Sequence, residues 1–277
     1  MALYPNADTL LADVKLRLDR FGPECGVLVV EGPDDKRLIY SRTMHRQQVM
    51  ASGGRRILLA AHRIAVAYLE GVVFLTDCDY EVPLGRLSPS PNLIVTEHAD
   101  VEADLFYNGG FEELAAQLIP AALDDDDEAS RISAALRERA VALADVLGRI
   151  RRVALEESFA VDTEIRHHKY RESGTAIVDE QKLIRAVVQA SRDATITSTE
   201  MEERVRRILR CYNNCNGHDL VAAVHHVMRD DFGVRGQTVD TISTLLRTSV
   251  SAKRFSDLGF VTRLRRWEDR SGRKLLV

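Results

Sequence analysis

Two short segments decide the fold: Val27-Leu-Val-Val-Glu31-Gly and Val72-Val-Phe-Leu-Thr-Asp77-Cys-Asp79. Each begins with an apolar, largely β-branched run that shows no polar alternation, which is typical of a strand covered on both faces. Each run ends at an acidic residue. Helical spacing before, between and after the two segments completes an alternating pattern of helices and strands, which indicates a parallel sheet with helices on its faces. The sequence therefore predicts an α/β fold.

The rest of the chain divides this fold into two parts. Val49-Met-Ala51 and Leu93-Ile-Val-Thr96 are weaker strand candidates. We expect residues 1–110 to form the small parallel sheet and its flanking helices, and residues 111–277 to form a mainly helical extension. The segments with helical spacing beyond residue 100 are Val101–Phe106, Glu112–Ile119, Ala129–Leu155, Asp179–Ala190, Met201–Cys211 and Asp219–Met228.

Composition is that of an ordinary globular protein, with 277 residues, 45% hydrophobic and 29% charged. No apolar run approaches the roughly 20 residues that a membrane-spanning helix needs. The N-terminus lacks a secretory pattern, and four cysteines in a chain of this length do not suggest a disulfide framework. We therefore expect a cytoplasmic protein without a membrane segment. The basic stretch 247–277 is either a solvated surface or an arm that attracts phosphate.

Carboxylates gather where parallel sheets bind ligands, beyond the carboxyl ends of the strands. Glu31 and Asp77 follow the two strong strands, Asp35 lies four residues past Glu31, and Asp79 lies two past Asp77. Such oxygen donors suit Mg²⁺, which activates water and neutralises phosphoryl charge. Each feature also has an ordinary explanation, because Asp-x-Asp pairs occur by chance and a strand-ending acid often caps the next helix.

Together these motifs resemble the TOPRIM fold, which has a glutamate after its first strand and an Asp-x-Asp after its third. This match covers roughly residues 25–105. Over most of the chain, the sequence is similar to TOPRIM defence proteins of the AriB type, the effectors of the PARIS anti-phage system, which are related to OLD-type nucleases. The stretches that carry this second resemblance are Val30-Glu-Gly-Pro-Asp-Asp-Lys36, Thr76-Asp-Cys-Asp-Tyr80, Ala99-Asp-Val-Glu-Ala103 and Asn216-Gly-His-Asp-Leu220.

The resemblance implies a Mg²⁺-dependent endonuclease, with Mn²⁺ as the alternative ion, that cleaves tRNA or DNA when an ABC-type ATPase partner releases or triggers it. That ATPase must be another polypeptide, since the chain has no Walker A motif. A homodimer is one alternative for the active state. The alternative function is a non-catalytic TOPRIM-fold binding or regulatory subunit of an ATPase complex. The predicted metal ligands are Glu31, Asp35, Asp77, Asp79 and Glu102; the predicted catalytic residues are Glu31, Asp77, Asp79 and His218.

Other candidate residues lie outside the acidic motifs. His218 is a candidate proton shuttle or phosphate contact, although Gly217-His218-Asp219 also fits an ordinary helix start. Cys211 and Cys215 precede His218 at a spacing that suggests zinc, but a fourth ligand is missing nearby. The basic residues near the C-terminus either bind a phosphate backbone or surround an ordinary packing stripe. The predicted nucleic-acid contacts are Lys36, Arg263, Arg265 and Arg266.

Overall fold

The computed structural model of the chain describes residues 4–119, 126–161, 167–191, 196–210 and 214–277. The chain divides into two compact units. The first, which we call the sheet unit, comprises Met1–Val101 and Ala252–Val277, and the second, the helical unit, comprises Glu102–Ser251. None of the helices within the described ranges is long and apolar enough to cross a bilayer.

The sheet unit is built on four parallel strands in the order β2-β1-β3-β4. Every strand residue is buried, as expected for apolar runs without alternation. The register pairs Leu28 with Val49 on one side and with Val73 on the other. The predicted α/β fold with a parallel sheet is thus confirmed. The strands are β1 Val27–Val30, β2 Val49–Ala51, β3 Val72–Thr76 and β4 Leu93–Val95.

Helices alternate with the first three strands. They are α1 Ala7–Phe21, α2 Pro33–Ile39 and α3 Arg55–Ala65. Leu10, Leu11 and Val14 of α1 recur at helical spacing and pack in one core with α3 and with every second residue of the strands, such as Val27 and Val29. Because successive strand side chains point to opposite faces, this core covers one face of the sheet.

The helical unit is organised around one long helix, α6, which packs against α9 and α8. Its core contains Leu147, Ile150 and Val153 of α6, together with Leu183 and Val187 of α7. The predicted mainly helical region is confirmed, although part of the acidic run that begins at Asp124 lies outside the described residues. The helices are α4 Val101–Leu105, α5 Phe111–Leu118, α6 Asp126–Glu156, α7 Glu180–Ala190, α8 Ser198–Arg207, α9 Gly217–Asp231 and α10 Val239–Ser249.

The end of the chain returns to the sheet, although the sequence predicts that it belongs to the helical extension. Two further helices, α11 Ala252–Asp257 and α12 Gly259–Ser271, lead into this return, and α12 contacts β3 and β4. Buried Glu268 accepts the backbone N–H groups of Leu275 and Leu276, at 2.6 and 2.8 Å, and so turns the last residues. Gly26 then donates its N–H to the carbonyl of Lys274 at 2.9 Å.

Candidate metal centre

The acidic residues of the sheet unit lie at the edge where its parallel strands end. Glu31 comes directly after β1, and Asp77 comes directly after β3, which is the neighbouring strand. Because adjacent parallel strands finish at the same edge, the fold brings these two carboxylates together. The chain crosses this edge again after β4, where Asp100 is buried.

Glu31 is held in place by the end of β3. Its Oε1 accepts a short hydrogen bond from the hydroxyl of Thr76 and one from the backbone N–H of Asp77 at 3.0 Å. The Glu31 side chain is only 17% exposed. A carboxylate fixed by charge-assisted hydrogen bonds on a rigid element is positioned far better than one on a mobile loop.

Asp77 carries the clearest electrostatic strain of the centre. Burial raises the pKa of Asp77 well above the 3.8 of an ordinary aspartate, and neighbouring carboxylates raise it further. In decreasing order of effect, these neighbours are Asp100, Asp35, Glu31 and Asp79. The fold therefore concentrates more negative charge around Asp77 than the surrounding groups neutralise.

Asp79 sits in a tight turn just beyond β3. Its φ of 45° lies in the left-handed region, which residues other than glycine rarely adopt and which aspartate tolerates better than most. Its backbone N–H donates to the carbonyl of Ala99 at 2.6 Å, so this turn is tied to the segment that carries Asp100. Between the two acids, Cys78 is buried in the core.

Arg55 lies among these acids, and it is not one of the site residues that the sequence predicts. It opens α3 immediately after Gly53 and Gly54, whose φ values are 87° and 136°. Its Nη1 donates to Oδ2 of Asp79 at 3.1 Å and to Oε1 of Glu31 at 3.4 Å, and its Nη2 donates to Oε2 of Glu81 at 2.7 Å. The glycine pair before a helix start was the signal in the sequence, because it lets the backbone turn from β2 back toward the strand ends.

Arg55 stays positively charged in this setting. Burial alone would lower the pKa of its guanidinium, but the hydrogen bond to Glu81 and the charges of Asp79 and Glu31 outweigh burial and raise that pKa. Arg55 is therefore a permanent cation within a group of carboxylates.

Asp35 has a local structural role, and it also adds charge to the centre. Its Oδ2 accepts the backbone N–H of Gly32 at 2.8 Å, which caps the first turn of α2. The same carboxylate raises the pKa of Asp77. The predicted role of Asp35 as a metal ligand stays a prediction.

Two acids, Asp100 and Glu102, follow β4, and the sequence predicts only Glu102 as a metal ligand, which stays a prediction. Glu102 belongs to the helical unit, where its largely buried carboxylate forms an ion pair with Arg247. Asp100, two residues earlier, is the carboxylate with the largest charge effect on Asp77. It was in the motif that includes Glu102, but spacing alone could not indicate which of the two acids reaches the edge of the sheet.

His218 is an exposed residue in the first turn of α9, in the helical unit. The side chain of Asn216 caps this helix by accepting the N–H of His218 at 2.8 Å, which is the helix start considered in the sequence analysis. Cys215 is buried, while Cys211 lies outside the described residues. The catalytic role of His218 remains a prediction.

The four predicted nucleic-acid contacts differ in how they are held. Arg263 of α12 donates to the carbonyl of Val95 at 2.7 Å and so anchors the helix to the end of β4. Arg265 and Arg266 are exposed on the same helix, and Lys36 is partly exposed on α2. The exposed arginines are the ones available to a phosphate backbone.

The donor set of the centre suits a hard divalent cation, since its side-chain oxygens are all carboxylates and their charge exceeds local neutralisation. Within the described ranges, however, no three His, Cys, Asp or Glu side chains are arranged to hold a metal ion as they stand. The cation found among these carboxylates is the guanidinium of Arg55. A scan against protein-family models matches no family, and no curated protein matches the sequence.

Proposed function

We propose that this protein is a Mg²⁺-dependent endonuclease of the TOPRIM type, with Mn²⁺ as an alternative ion. The observation that carries the proposal is the crowding of carboxylates around Asp77, which raises its pKa at the edge of a parallel sheet. Repulsion between these carboxylates disfavours folding. Such crowding is typical of sites that bind a cation or a substrate. The residues that would hold the ion are Glu31, Asp77 and Asp79, with Asp35 and Asp100 close by.

Individual atoms of the centre have separate roles in the proposed hydrolysis. A bound divalent cation supplies charge neutralisation at the phosphoryl oxygens and acidifies water. Oε1 of Glu31 accepts all the hydrogen bonds described for that side chain, and its Oε2 accepts none from a described residue. We assign Oε2 as the acceptor of the proton that an attacking water loses. An ion bound to the carboxylate of Asp77 would offset the repulsion that raises the pKa of this group.

Nucleic acid is the substrate that we propose, either tRNA or DNA. The exposed arginines of α12, Arg265 and Arg266, and the partly exposed Lys36 support this, because such side chains neutralise phosphates. The finer proposal rests on the resemblance to TOPRIM defence proteins. In it the chain is a cytoplasmic anti-phage effector that an ABC-type ATPase partner holds inactive and releases.

A second candidate is a non-catalytic subunit that regulates an ATPase complex. One observation favours it, which is that Arg55 already pairs with Glu31 and Asp79. In that case the acids would serve only to bind Arg55 and to fix the turn that follows β3.

Cleavage by the purified protein separates the two candidates. Native protein, Glu31→Gln and the exposed control Glu70→Gln are incubated with tRNA and with supercoiled plasmid, in Mg²⁺, in Mn²⁺ and in a chelator. The nuclease proposal predicts cleavage by native protein and by the control only when metal is present, and a loss of at least about a hundredfold in Glu31→Gln. If native protein cuts neither substrate in Mg²⁺ or in Mn²⁺, the regulatory subunit is the better supported candidate.

A further inference from the structure

Three oxygen atoms of the candidate metal centre converge on a single nitrogen. Nη1 of Arg55 lies 2.6 Å from the backbone carbonyl oxygen of Asp77, 3.1 Å from Oδ2 of Asp79 and 3.4 Å from Oε1 of Glu31. This nitrogen carries only two hydrogens, so three acceptors exceed what directional hydrogen bonds require. The arrangement is that of oxygens gathered around a positive charge. Carboxylate and carbonyl oxygens are also the ligands that hard divalent cations take.

The other end of the guanidinium is attached elsewhere. Nη2 of Arg55 donates to Oε2 of Glu81 at 2.7 Å, and Glu81 lies two residues past Asp79 in the turn after β3. Glu81 is therefore a separate anchor, which keeps the guanidinium close even when Nη1 leaves Glu31 and Asp79. The glycines at 53 and 54 hold the start of α3 so that Arg55 faces the strand ends.

Resting on the proposed function, we infer that Arg55 is a tethered counter-cation that competes with the divalent ion for the same oxygens. The guanidinium and the ion cannot both contact Oε1 of Glu31 and Oδ2 of Asp79. Two positive charges on the same oxygens would lie close together, and they would repel strongly in a partly buried site. Ion binding thus requires Nη1 to withdraw while Nη2 stays on Glu81. Arg55 keeps the acids neutralised when the ion is absent and lowers the affinity of the centre for the ion.

The experiment measures Mn²⁺ binding by electron paramagnetic resonance in native protein, Arg55→Gln and Arg56→Gln. Arg56 is the adjacent residue and is exposed, so its replacement removes the same charge from the same turn of α3. We expect Arg55→Gln to bind Mn²⁺ about tenfold or more tightly than native protein, and Arg56→Gln to change affinity by less than about threefold.

A stability measurement gives the second readout. Without metal, Arg55→Gln should unfold at lower urea than Arg56→Gln, because the carboxylates lose their counter-charge. Mn²⁺ should remove this difference, because the ion then supplies the missing positive charge. If Arg55→Gln does not fold, Arg55→Lys and Arg56→Lys replace the pair. A lysine at 55 keeps the charge but lacks the fork that contacts Glu81 and Asp79 at once, so tighter Mn²⁺ binding is still expected, by a smaller factor.

The outcomes separate this inference from the proposed function. If native protein binds Mn²⁺ but Arg55→Gln binds it no more tightly than Arg56→Gln, Arg55 does not compete and the inference is wrong while the metal centre stands. If none of the folded variants binds Mn²⁺, the metal-dependent function itself fails.

Discussion

Replacement of Asp77 by asparagine should make the sheet unit more stable at neutral pH when metal is absent. Asparagine keeps the size of the side chain. The backbone of residue 77 also keeps its contacts, since its N–H donates to Glu31 and its carbonyl accepts from Arg55. The substitution therefore removes one crowded carboxylate and changes little else.

The size and sign of this effect follow from the raised pKa of Asp77. In the unfolded chain the group titrates near 3.8, and in the folded protein it titrates at higher pH. Between these two values the folded protein holds a proton that the unfolded chain has lost, so the free energy of unfolding falls as pH rises. The slope is at most about 1.4 kcal/mol per pH unit. Asp77→Asn has no such group, so its free energy of unfolding does not fall in this way. The variant's stability relative to native protein therefore grows from acid to neutral pH, by about 1.4 kcal/mol for each unit by which the pKa of Asp77 is raised.

Urea unfolding at a series of pH values, with a chelator present, measures this difference. Trp267 is the only tryptophan of the chain and is buried in the sheet unit, so its fluorescence reports the unfolding of that unit. Asp269→Asn, on the exposed side of α12, is the matched control and should show no such growth with pH. A variant that is less stable than native protein at neutral pH would contradict the electrostatic reasoning, because the Asp77 carboxylate would then be stabilising.

Further substitutions test the acid after β4 and the packing of α12. Asp100→Asn should weaken Mn²⁺ binding about tenfold, measured by titration calorimetry, because it removes the charge with the largest effect on Asp77. Glu102→Gln should instead destabilise the helical unit by about 1–3 kcal/mol, since it breaks the ion pair with Arg247. Urea unfolding followed by circular dichroism measures this loss. If Glu102→Gln lowers Mn²⁺ affinity as much as Asp100→Asn does, the assignment of Asp100 to the metal centre and of Glu102 to the helical unit is wrong. Gly26→Ala should cost about 1–3 kcal/mol, because its Cβ would lie 2.4 Å from Cη2 of Trp267, and unchanged stability would argue against that packing.

The fold could be predicted because its information is local in the sequence. The apolar runs at Val27–Val30 and Val72–Thr76 have no alternation, and only a strand covered on both faces suits such runs. The alternation of strands with helices then gives a parallel sheet. The return of residues 252–277 to this sheet could not be predicted, because it depends on contacts such as that of Gln48 with Lys274, which are 226 residues apart in the chain.

The candidate site was predictable only where a strand fixes the position of a side chain. Glu31 and Asp77 follow strands directly, so their place at the edge follows from the topology. Arg55 comes from a helix start, and its approach to Glu31 depends on β2 lying beside β1, which local patterns do not state. Asp100 was missed for a related reason, since the number of residues between β4 and α4 does not indicate which acid turns toward the sheet.

We propose that a divalent cation binds where Glu31, Asp77 and Asp79 meet. Anomalous diffraction from crystals soaked in millimolar Mn²⁺ tests it most directly, because the position of the ion is observed. We predict an anomalous peak in contact with carboxylate oxygens of Glu31, Asp77 and Asp79, with the guanidinium of Arg55 withdrawn toward Glu81. A well-ordered sheet edge that shows no peak, with Arg55 still seated on Glu31 and Asp79, would contradict the claim.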